Sequence, residues 1–218
     1  MKKLIKFIST DEFQKILKVE KNNKNKLAYV LGFGSGLRIS EIIGLYEFVC
    51  PKCSQVLVIG KKQIGEKIRK LLFCKNCNNH FENSECRRSK SVWKIKPLEA
   101  YQINLETKQI KVLGKGEKER ITVINPLFPI KENMLKLLPL KIQRKTLQNR
   151  FKAISKKVLG KALNFHTLRH GFANHMLNER NLPMPIVQGF GGWARLDTVG
   201  IYATANPVQA IEKVWEGF

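Results

Sequence analysis

Apolar residues recur at helical spacing along much of the chain, and this pattern predicts a largely helical protein. A first helix is predicted through FQKILK, because Ser9 and Glu12 have the three-residue separation of a capping box. The apolar stretch LAYVLGFGSGL predicts a second helix that ends near its glycines, and RISEIIGLY predicts a short third helix. Three helices are therefore expected before the character of the chain changes at about Phe48.

A strand pattern replaces the helical one in YQINLETKQIKVLGKGEKERITVI, residues 101–124. Apolar and polar residues alternate here, and the alternation is interrupted at ETKQ and GKGEKE. This predicts three antiparallel strands joined by two tight turns. Helices around one small antiparallel sheet make the expected fold class α+β.

The remainder returns to helical spacing. KENMLKLL predicts a short helix, and TLQNRFKAISKKVL predicts a longer one with Thr146 as its N-cap. A histidine-rich segment follows, NFHTLRHGFANHM, residues 164–176. Asn206 before Pro207 has the pattern of an N-cap followed by proline at the first helical position, which predicts a short final helix.

The segment 48–90 interrupts this organisation. It contains all five cysteines and many lysines and arginines, with little helical periodicity. We therefore predict a discontinuous main domain, residues 1–47 and 91–218, with an inserted module at 48–90.

Four cysteines of the module form two C-x2-C pairs, Cys50/Cys53 and Cys74/Cys77, with 20 residues between the pairs. This spacing is typical of a zinc ribbon, in which each knuckle supplies two thiolates to a tetrahedral structural Zn²⁺. His80 and Cys86 are alternative ligands for one position. The competing interpretation is a loop whose cysteines bind no metal.

The charge balance indicates a polyanionic partner. The chain has 40 Lys and Arg against 17 Asp and Glu, a formal net charge of +23, and such an excess favours nucleic acid. Basic residues of the module could bind the DNA backbone, although a solvated basic face is the alternative. They are Lys61, Lys62, Lys67, Arg69, Lys70, Arg87 and Arg88.

Several features argue for a location inside the cell. Acidic residues follow the basic start too soon for a signal peptide, and no apolar run is long enough for a membrane span. An odd number of cysteines favours metal binding in a reducing compartment over disulfides. We expect a cytoplasmic, nucleoid-associated protein.

The histidine-rich segment could be read as a metal site, since His166 and His170 share one helix face. A zinc protease needs glutamate after the first histidine, and that glutamate is missing here. Arg169 also places a permanent cation beside the pair, which opposes Zn²⁺ but suits a phosphate. With Thr167 as a possible helix cap, the segment is better interpreted as a phosphate clamp.

Four ordered motifs resemble those of the tyrosine recombinases, the phage integrase family. GLRISEIIGL resembles the first arginine box, LGKGEKER the β-hairpin that carries a lysine, and HTLRHGFANHML the H-x-L-R-H box. GGWARLDTVGIYATANP resembles the final segment, with Trp193 nine positions before Tyr202. The resemblance runs from about residue 9 to the C-terminus and is interrupted by the cysteine module.

The resemblance implies a site-specific recombinase, such as the integrase of a mobile element, that uses neither a catalytic metal nor ATP. Tyr202 would attack a DNA phosphodiester to form a 3′-phosphotyrosine link. Supporting positions would fall to His170 and Glu41. The implied catalytic residues are Arg38, Lys115, His166, Arg169, Trp193 and Tyr202.

These roles follow the chemistry of each side chain. Arg38 and Arg169 would bind the non-bridging phosphate oxygens, and Lys115 would protonate the leaving 5′-oxygen, with Lys118 as its rival. His166 would assist proton transfer at the tyrosine. Trp193 would donate its indole N–H or pack to shape the pocket.

Three further expectations concern the whole assembly. Family members act on double-stranded DNA as homotetramers, and the helix after Asn206 could dock on its own protomer or on a neighbour. Only 37 residues precede Arg38, and we expect them to form the first helices of the catalytic domain; the zinc module could supply the DNA contacts of the family's usual amino-terminal domain, or the chain could be a fragment of a longer protein. The competing functions are a non-catalytic zinc-ribbon DNA-binding protein and a type IB topoisomerase.

Overall fold

The computed structural model describes residues 7–65, 67–81, 91–114 and 119–203, with the backbone alone for 67–70. Within these residues the chain is a mixture of helices and small antiparallel sheets. The helices are α1 Thr10–Val19, α2 Asn23–Gly34, α3 Ile39–Ile43, α4 Glu132–Leu135, α5 Arg144–Leu159, α6 His166–Asn174, α7 Met184–Gly191 and α8 Asp197–Gly200. The strands are β1 Leu45–Phe48, β2 Val58–Ile64, β3 Lys67–Cys74, β4 Asn79–Phe81, β5 Ser91–Ile95, β6 Ile103–Asn104, β7 Gln109–Leu113 and β8 Glu119–Val123. The α+β class predicted from the pattern is confirmed.

The ends of two helices show where local sequence signals suffice. At α1 the capping box is present, since the Glu12 backbone N–H donates to Ser9 Oγ and the Ser9 N–H donates to Glu12 Oε2, both at 3.2 Å. At α5 the predicted cap Thr146 is wrong. The helix begins two residues earlier, at Arg144, with Gln143 at the N-cap position. Thr146 therefore lies inside the first turn, which brings Leu147 into the core.

The predicted three-stranded sheet is present, in the order β6-β7-β8 with antiparallel pairing throughout. Ile110 and Val112 of β7 are buried in the core. On β8 the polar side chains face inward instead, because the Thr122 hydroxyl donates to the Ser35 carbonyl oxygen at 2.8 Å while Ile121 is exposed.

The cysteine segment forms a separate small structure on a two-stranded stem. Strand β1 pairs antiparallel with β5, and we call this pair the neck ribbon, Leu45–Phe48 with Ser91–Ile95. The neck ribbon leads to a three-stranded sheet in the order β2-β3-β4. The first strand of the neck ribbon, Leu45–Phe48, crosses the predicted limit at residue 48, and the second, Ser91–Ile95, follows the predicted limit at residue 90.

Two adjoining apolar clusters form the core of the main body. The larger one joins α1, α2, α3, the β6-β7-β8 sheet and α5 up to Leu168 of α6. The smaller one runs from Phe172 of α6 to Tyr202. The turns of α6 that link the two clusters carry Arg169 and His170. No helix in the described parts of the chain has the length and apolarity needed to cross a lipid bilayer.

Candidate active site

The site begins at the amino-terminal end of α3, where Arg38 occupies the N-cap position. Its backbone N–H donates to Glu41 Oε2 at 2.7 Å, and its Nη1 donates to Glu41 Oε1 at 2.8 Å. Its Nη2 donates to the Gly192 carbonyl oxygen at 3.0 Å. Local sequence thus pairs Arg38 with Glu41, and the long-range contact ties Arg38 to the segment before Trp193.

Arg120 on β8 completes this arrangement, and sequence reasoning missed it. Its two terminal nitrogens donate to the two carboxylate oxygens of Glu41, each at 2.8 Å, and its Nε donates to the Phe190 carbonyl oxygen at 2.9 Å. Such a two-pronged contact fixes the planes of both groups. In the sequence, Arg120 directly follows the GKGEKE turn, and this was the one signal that could have identified it. The alternation of apolar and polar residues in the strand predicts instead that Arg120 faces solvent.

Glu41 is therefore a buried carboxylate held by two arginines. Burial alone would raise its pKa, but hydrogen bonds and charge from Arg120, together with those of Arg38, outweigh burial and lower the pKa. The carboxylate stays ionised, and it fixes the position of Arg38 while neutralising part of the local positive charge.

Arg169 is the most buried cation of the site, with 1% of its surface exposed. Its Nη1 donates to the Gly36 carbonyl oxygen at 2.6 Å, and its guanidinium carbon lies 3.9 Å from the centre of the Trp193 ring. Gly36 adopts a left-handed φ of +68°, and a Cβ there would lie 2.5 Å from the Phe172 ring. Glycine is thus needed at this position.

Arg169 retains unused hydrogen-bonding capacity. Its Nε and Nη2 are buried and have no partner among the described residues. Burial and the nearby Arg38 lower the pKa of Arg169 to about 9, which still leaves it protonated at neutral pH. A buried guanidinium with free N–H groups beside a second arginine is suited to bind a phosphate.

The two histidines of α6 lie in contact, with ring centres 4.5 Å apart in an edge-to-face arrangement. Burial lowers the pKa of His170 to about 4, with smaller contributions from His166 and Arg169. Burial, followed by the charges of Arg169 and Arg38, also lowers the pKa of His166. Both rings are therefore neutral at pH 7 and can accept a proton.

Tyr202 follows α8 and is 5% exposed. Its hydroxyl is hydrogen-bonded to His170 Nδ1, and its backbone carbonyl accepts a hydrogen bond from Asn178 Nδ2 at 2.8 Å. Burial raises the pKa of its phenol, an effect that the positive charge of Arg169 partly offsets. The buried phenol is thus protonated at neutral pH and is hydrogen-bonded to a neutral imidazole.

The structure brings seven of the predicted residues to one place, and it assigns some contacts differently than expected. His170, not His166, contacts the tyrosine hydroxyl. The face of Trp193 packs on Arg169, which corresponds to the pocket-shaping alternative. Lys115 and its rival Lys118 lie outside the described residues. The seven are Arg38, Glu41, His166, Arg169, His170, Trp193 and Tyr202.

The expected helix cap at Thr167 is wrong. Thr167 lies in the first turn of α6, and its own N–H donates to Asn164 Oδ1 at 3.1 Å. Asn164 therefore already binds an N–H group that was expected to face an anion.

The cysteine module contains a second candidate site. The sulfur atoms of Cys50, Cys53, Cys74 and Cys77 all lie within 4.8 Å of one another. The Cys53–Cys74 and Cys50–Cys77 pairs are 3.5 and 4.0 Å apart. Tetrahedral zinc with Zn–S bonds of about 2.3 Å requires sulfurs roughly 3.8 Å apart, so the four thiols fit such an ion.

The alternative ligands and the basic residues of the module are distributed as follows. His80 packs against Phe73, with ring centres 4.6 Å apart and the ring planes tilted by 41°, and it is not among the clustered residues. Lys61 and Lys62 are exposed on β2. Lys67, Arg69 and Lys70 are on β3, where only the backbone is described, and Cys86, Arg87 and Arg88 lie outside the described residues.

Comparison with known proteins gives a consistent result. The sequence profile of the phage integrase family matches residues 127–208. The chain is 30% identical over 216 residues to the tyrosine recombinase XerA of Pyrococcus horikoshii, a match covering 97% of this chain and 62% of that relative. The chain therefore spans less than two thirds of the length of this relative.

Solved structures share the fold. A crystal structure of XerA recombinase superposes with a TM-score of 0.55 at 15% identity, over 98% of this chain and 63% of the other. The site-specific recombinase XerH, bound to its difH substrate before cleavage, gives 0.54 at 18% identity, over 98% of this chain and 55% of the other.

Proposed function

The chain belongs to the phage integrase family of tyrosine recombinases, and we propose that it is a site-specific DNA recombinase that cuts and rejoins strands through Tyr202. The single observation that carries this proposal is the contact between the Tyr202 hydroxyl and His170, next to Arg169, whose Nε and Nη2 have no partner in the described part of the chain. A nucleophile, a base and an anion donor are thus adjacent.

The proposed reaction exchanges one phosphodiester for another. Tyr202 Oη attacks the phosphorus, a 3′-phosphotyrosine bond forms, and the bond to the 5′-oxygen breaks. The phenolic proton passes to His170, which is neutral at pH 7. The leaving oxygen takes a proton from Lys115, and attack by a 5′-hydroxyl reverses the sequence, so that religation needs no ATP.

Arg38 and Arg169 bind the non-bridging oxygens, where charge increases in the transition state. Loss of one such donor costs on the order of 10²–10³ in rate at comparable oxyanion sites. Glu41 and Arg120 hold Arg38 in place. His166 assists the proton transfer through its ring contact with His170.

A nicked-duplex assay tests the catalytic proposal. A nick near the cleavage point lets a short fragment diffuse away and traps the covalent complex. Wild-type protein should form adducts that survive a denaturing gel, and Tyr202→Phe should form none while it still binds DNA. Binding without adducts from the wild type would favour the non-catalytic DNA-binding protein. Relaxation of supercoils without strand exchange between duplexes would favour the topoisomerase.

We also propose that the four clustered cysteines hold a structural Zn²⁺ and that the exposed Lys61 and Lys62 of the module contact DNA phosphates. The support is the fit of the sulfur positions to a tetrahedral ion. The purified chain should contain one zinc per protomer by elemental analysis. A chain that folds fully without metal would contradict the zinc proposal.

The partner is proposed to be double-stranded DNA bound by a homotetramer, as expected for two paired sites. The solved XerH complex is a recombinase bound to its DNA substrate, and the net charge of +23 suits this partner. Mass photometry of the protein with and without duplex should show tetramers on DNA. Monomers alone, at concentrations that saturate the DNA, would contradict the assembly.

A further inference from the structure

A groove of about 1120 Å³ separates the neck ribbon from the loop that leads into α5. One wall carries Tyr46, Phe48 and Trp93, and the opposite wall is the segment 139–145. The floor is the end of α3, at Ile43 and Gly44. None of the residues that line this groove takes part in the site built around Tyr202.

Two aromatic rings of the ribbon wall are unusually exposed for their size. Tyr46 is 54% and Trp93 is 53% exposed, and their ring centres lie 5.8 Å apart at 81°. Trp93 is nonetheless anchored, since a Cβ at Gly44 would lie 2.6 Å from its Cζ3. The close backbone at Gly44, with φ of +80°, supports one part of the indole and leaves the rest open.

The opposite wall is positively charged. The charged residues among the described groove lining are Lys141, Arg144 and Lys145, all cations. All three side chains are exposed. Rings on one wall and cations on the other match the two parts of a nucleotide, its flat base and its phosphate.

The groove is also close to the phosphate-binding arginines. Helix α3 has five residues, with Arg38 at its start and Gly44 after its end. Five helical residues span about 8 Å. A strand advances roughly 3.4 Å per nucleotide along a duplex axis, so a strand held at Arg38 can reach the groove within a few nucleotides.

We propose that this groove, which we call the neck groove, binds an unpaired stretch of DNA strand next to the cleavage site. Bases stack on Tyr46 and Trp93, and phosphates contact Lys141, Arg144 and Lys145. This inference rests on the proposed recombinase function, in which strands must leave one duplex before joining another. The neck groove holds the separated strand close to the active site.

An apolar partner segment would leave the three cations unused, which is why a polyanion with flat apolar faces suits the groove better. The main competitor is the carboxyl-terminal segment 204–218, which lies outside the described residues and contains Glu212, Trp215 and Glu216. The experiment therefore includes this segment as an explicit outcome.

The test measures binding of a fluorescent twelve-nucleotide oligo(dT) and of a hairpin duplex of equal charge, at fixed salt, by the full chain. Tyr46→Ala combined with Trp93→Ala should weaken oligo(dT) binding roughly 10-fold or more, because base–aromatic stacking contributes substantially at each base. Duplex binding should change less than twofold. Lys141→Gln combined with Lys145→Gln should weaken oligo(dT) binding and reduce its salt dependence.

Tyr101→Ala is the matched control, because Tyr101 is 78% exposed and is not part of the groove lining. It should leave oligo(dT) binding unchanged. Circular dichroism and thermal unfolding of each variant identify any loss of fold. Lys141→Gln with Lys145→Gln lies on the opposite wall and remains informative if the ribbon variants fail to fold.

Equal weakening of duplex and oligo(dT) binding, or no weakening of either, would overturn the proposal. Displacement of oligo(dT) by a synthetic peptide of residues 204–218, seen with wild type and lost in the groove variants, would assign the groove to the chain's own end instead. Tyr202→Phe should bind oligo(dT) normally. If the wild type forms adducts but the groove variants bind oligo(dT) as well as the wild type does, the neck-groove proposal is wrong and the recombinase proposal stands. If the groove variants bind oligo(dT) more weakly but the wild type forms no adducts, the recombinase proposal is wrong and oligo(dT) binding in the groove stands.

Discussion

The main body and the inserted module differ in what stabilises their folded conformation. The main body has two adjoining clusters that contain most of the buried apolar residues of the described chain. Among the described residues, the apolar cluster of the module consists of Cys50, Leu57, Cys74 and Phe81, with a few partly buried neighbours. Two of its four core residues are candidate zinc ligands.

Because of this difference, we expect the two regions to unfold independently of each other. The main body has enough buried apolar surface to fold by hydrophobic burial. The module does not, so its order should depend on metal coordination. The candidate active site belongs to the main body, since Arg169 lies on the helix that links its two buried clusters and Glu41 is buried beside it.

The largest expected effect is loss of metal from the module. Zinc binding contributes on the order of 10 kcal/mol to folding in comparable small domains. Cys74→Ser, or a strong chelator, should therefore unfold residues 45–95, seen as rapid hydrogen exchange there, with the main body still protected. Cys86→Ser serves as the control and should retain zinc. If Cys74→Ser also exposes the amides of α2, the two regions are not independent.

The second effect concerns the buried pair in the main body. Removing one partner of a buried ion pair costs about 3–5 kcal/mol, so Glu41→Gln and Arg120→Gln should each lower the free energy of unfolding by that order. Both should slow adduct formation, because Arg38 loses its support. The module should keep its zinc in both variants.

A double-mutant cycle separates the contact from unrelated damage. Glu41→Gln combined with Arg120→Gln should cost less than the sum of the two single changes. Strict additivity of the unfolding free energies would mean that the pair does not act as a unit.

A third, smaller effect depends on pH. Because the pKa of His170 is about 4 in the folded chain, below the ordinary value of roughly 6.5, the unfolded chain takes up the proton first as pH falls. Stability of the main body should thus decrease between pH 6.5 and 4. With allowance for partial solvent exposure, the share of His170 is about 1 kcal/mol.

Urea unfolding at pH 7 and pH 5, monitored by hydrogen exchange in α2, measures this loss. His170→Gln should lose less stability over this interval than the wild type. An identical loss in both proteins would show that His170 titrates normally. Zinc content measured in parallel distinguishes acid release of the metal from the effect on the main body.

The smallest effect is expected at the exposed lysines of the module. Each phosphate contact contributes about 0.9 to the slope of log K against log salt concentration on duplex DNA. Lys61→Gln with Lys62→Gln should reduce that slope by up to about two and leave stability unchanged. The matched control is Lys156→Gln with Lys157→Gln, two lysines of the last turn of α5. Equal slopes for wild type and the Lys61/Lys62 variant would leave the module without a DNA contact at these positions.

Sequence alone determined the features that depend on neighbours along the chain. The capping box at Ser9, the three-stranded sheet and the two cysteine knuckles were all predicted, because a short spacing decides each of them. The positions of Arg38, Arg169 and Tyr202 followed from ordered motifs. Thr146 shows the limit, since a good capping residue was overruled when the preceding turn packed on the core.

Only the tertiary structure decided which side chains meet. Arg120 pairs with Glu41 across 79 positions, and Tyr202 contacts His170 across 32. The motif had assigned the contact with the tyrosine to His166, but the path of the chain after α8 places the Tyr202 hydroxyl against His170. Thr122 faces inward because the Ser35 carbonyl oxygen, at the end of α2, accepts a hydrogen bond from its hydroxyl. These contacts depend on how separate elements pack, and periodicity within one element carries no information about the partner that another element presents.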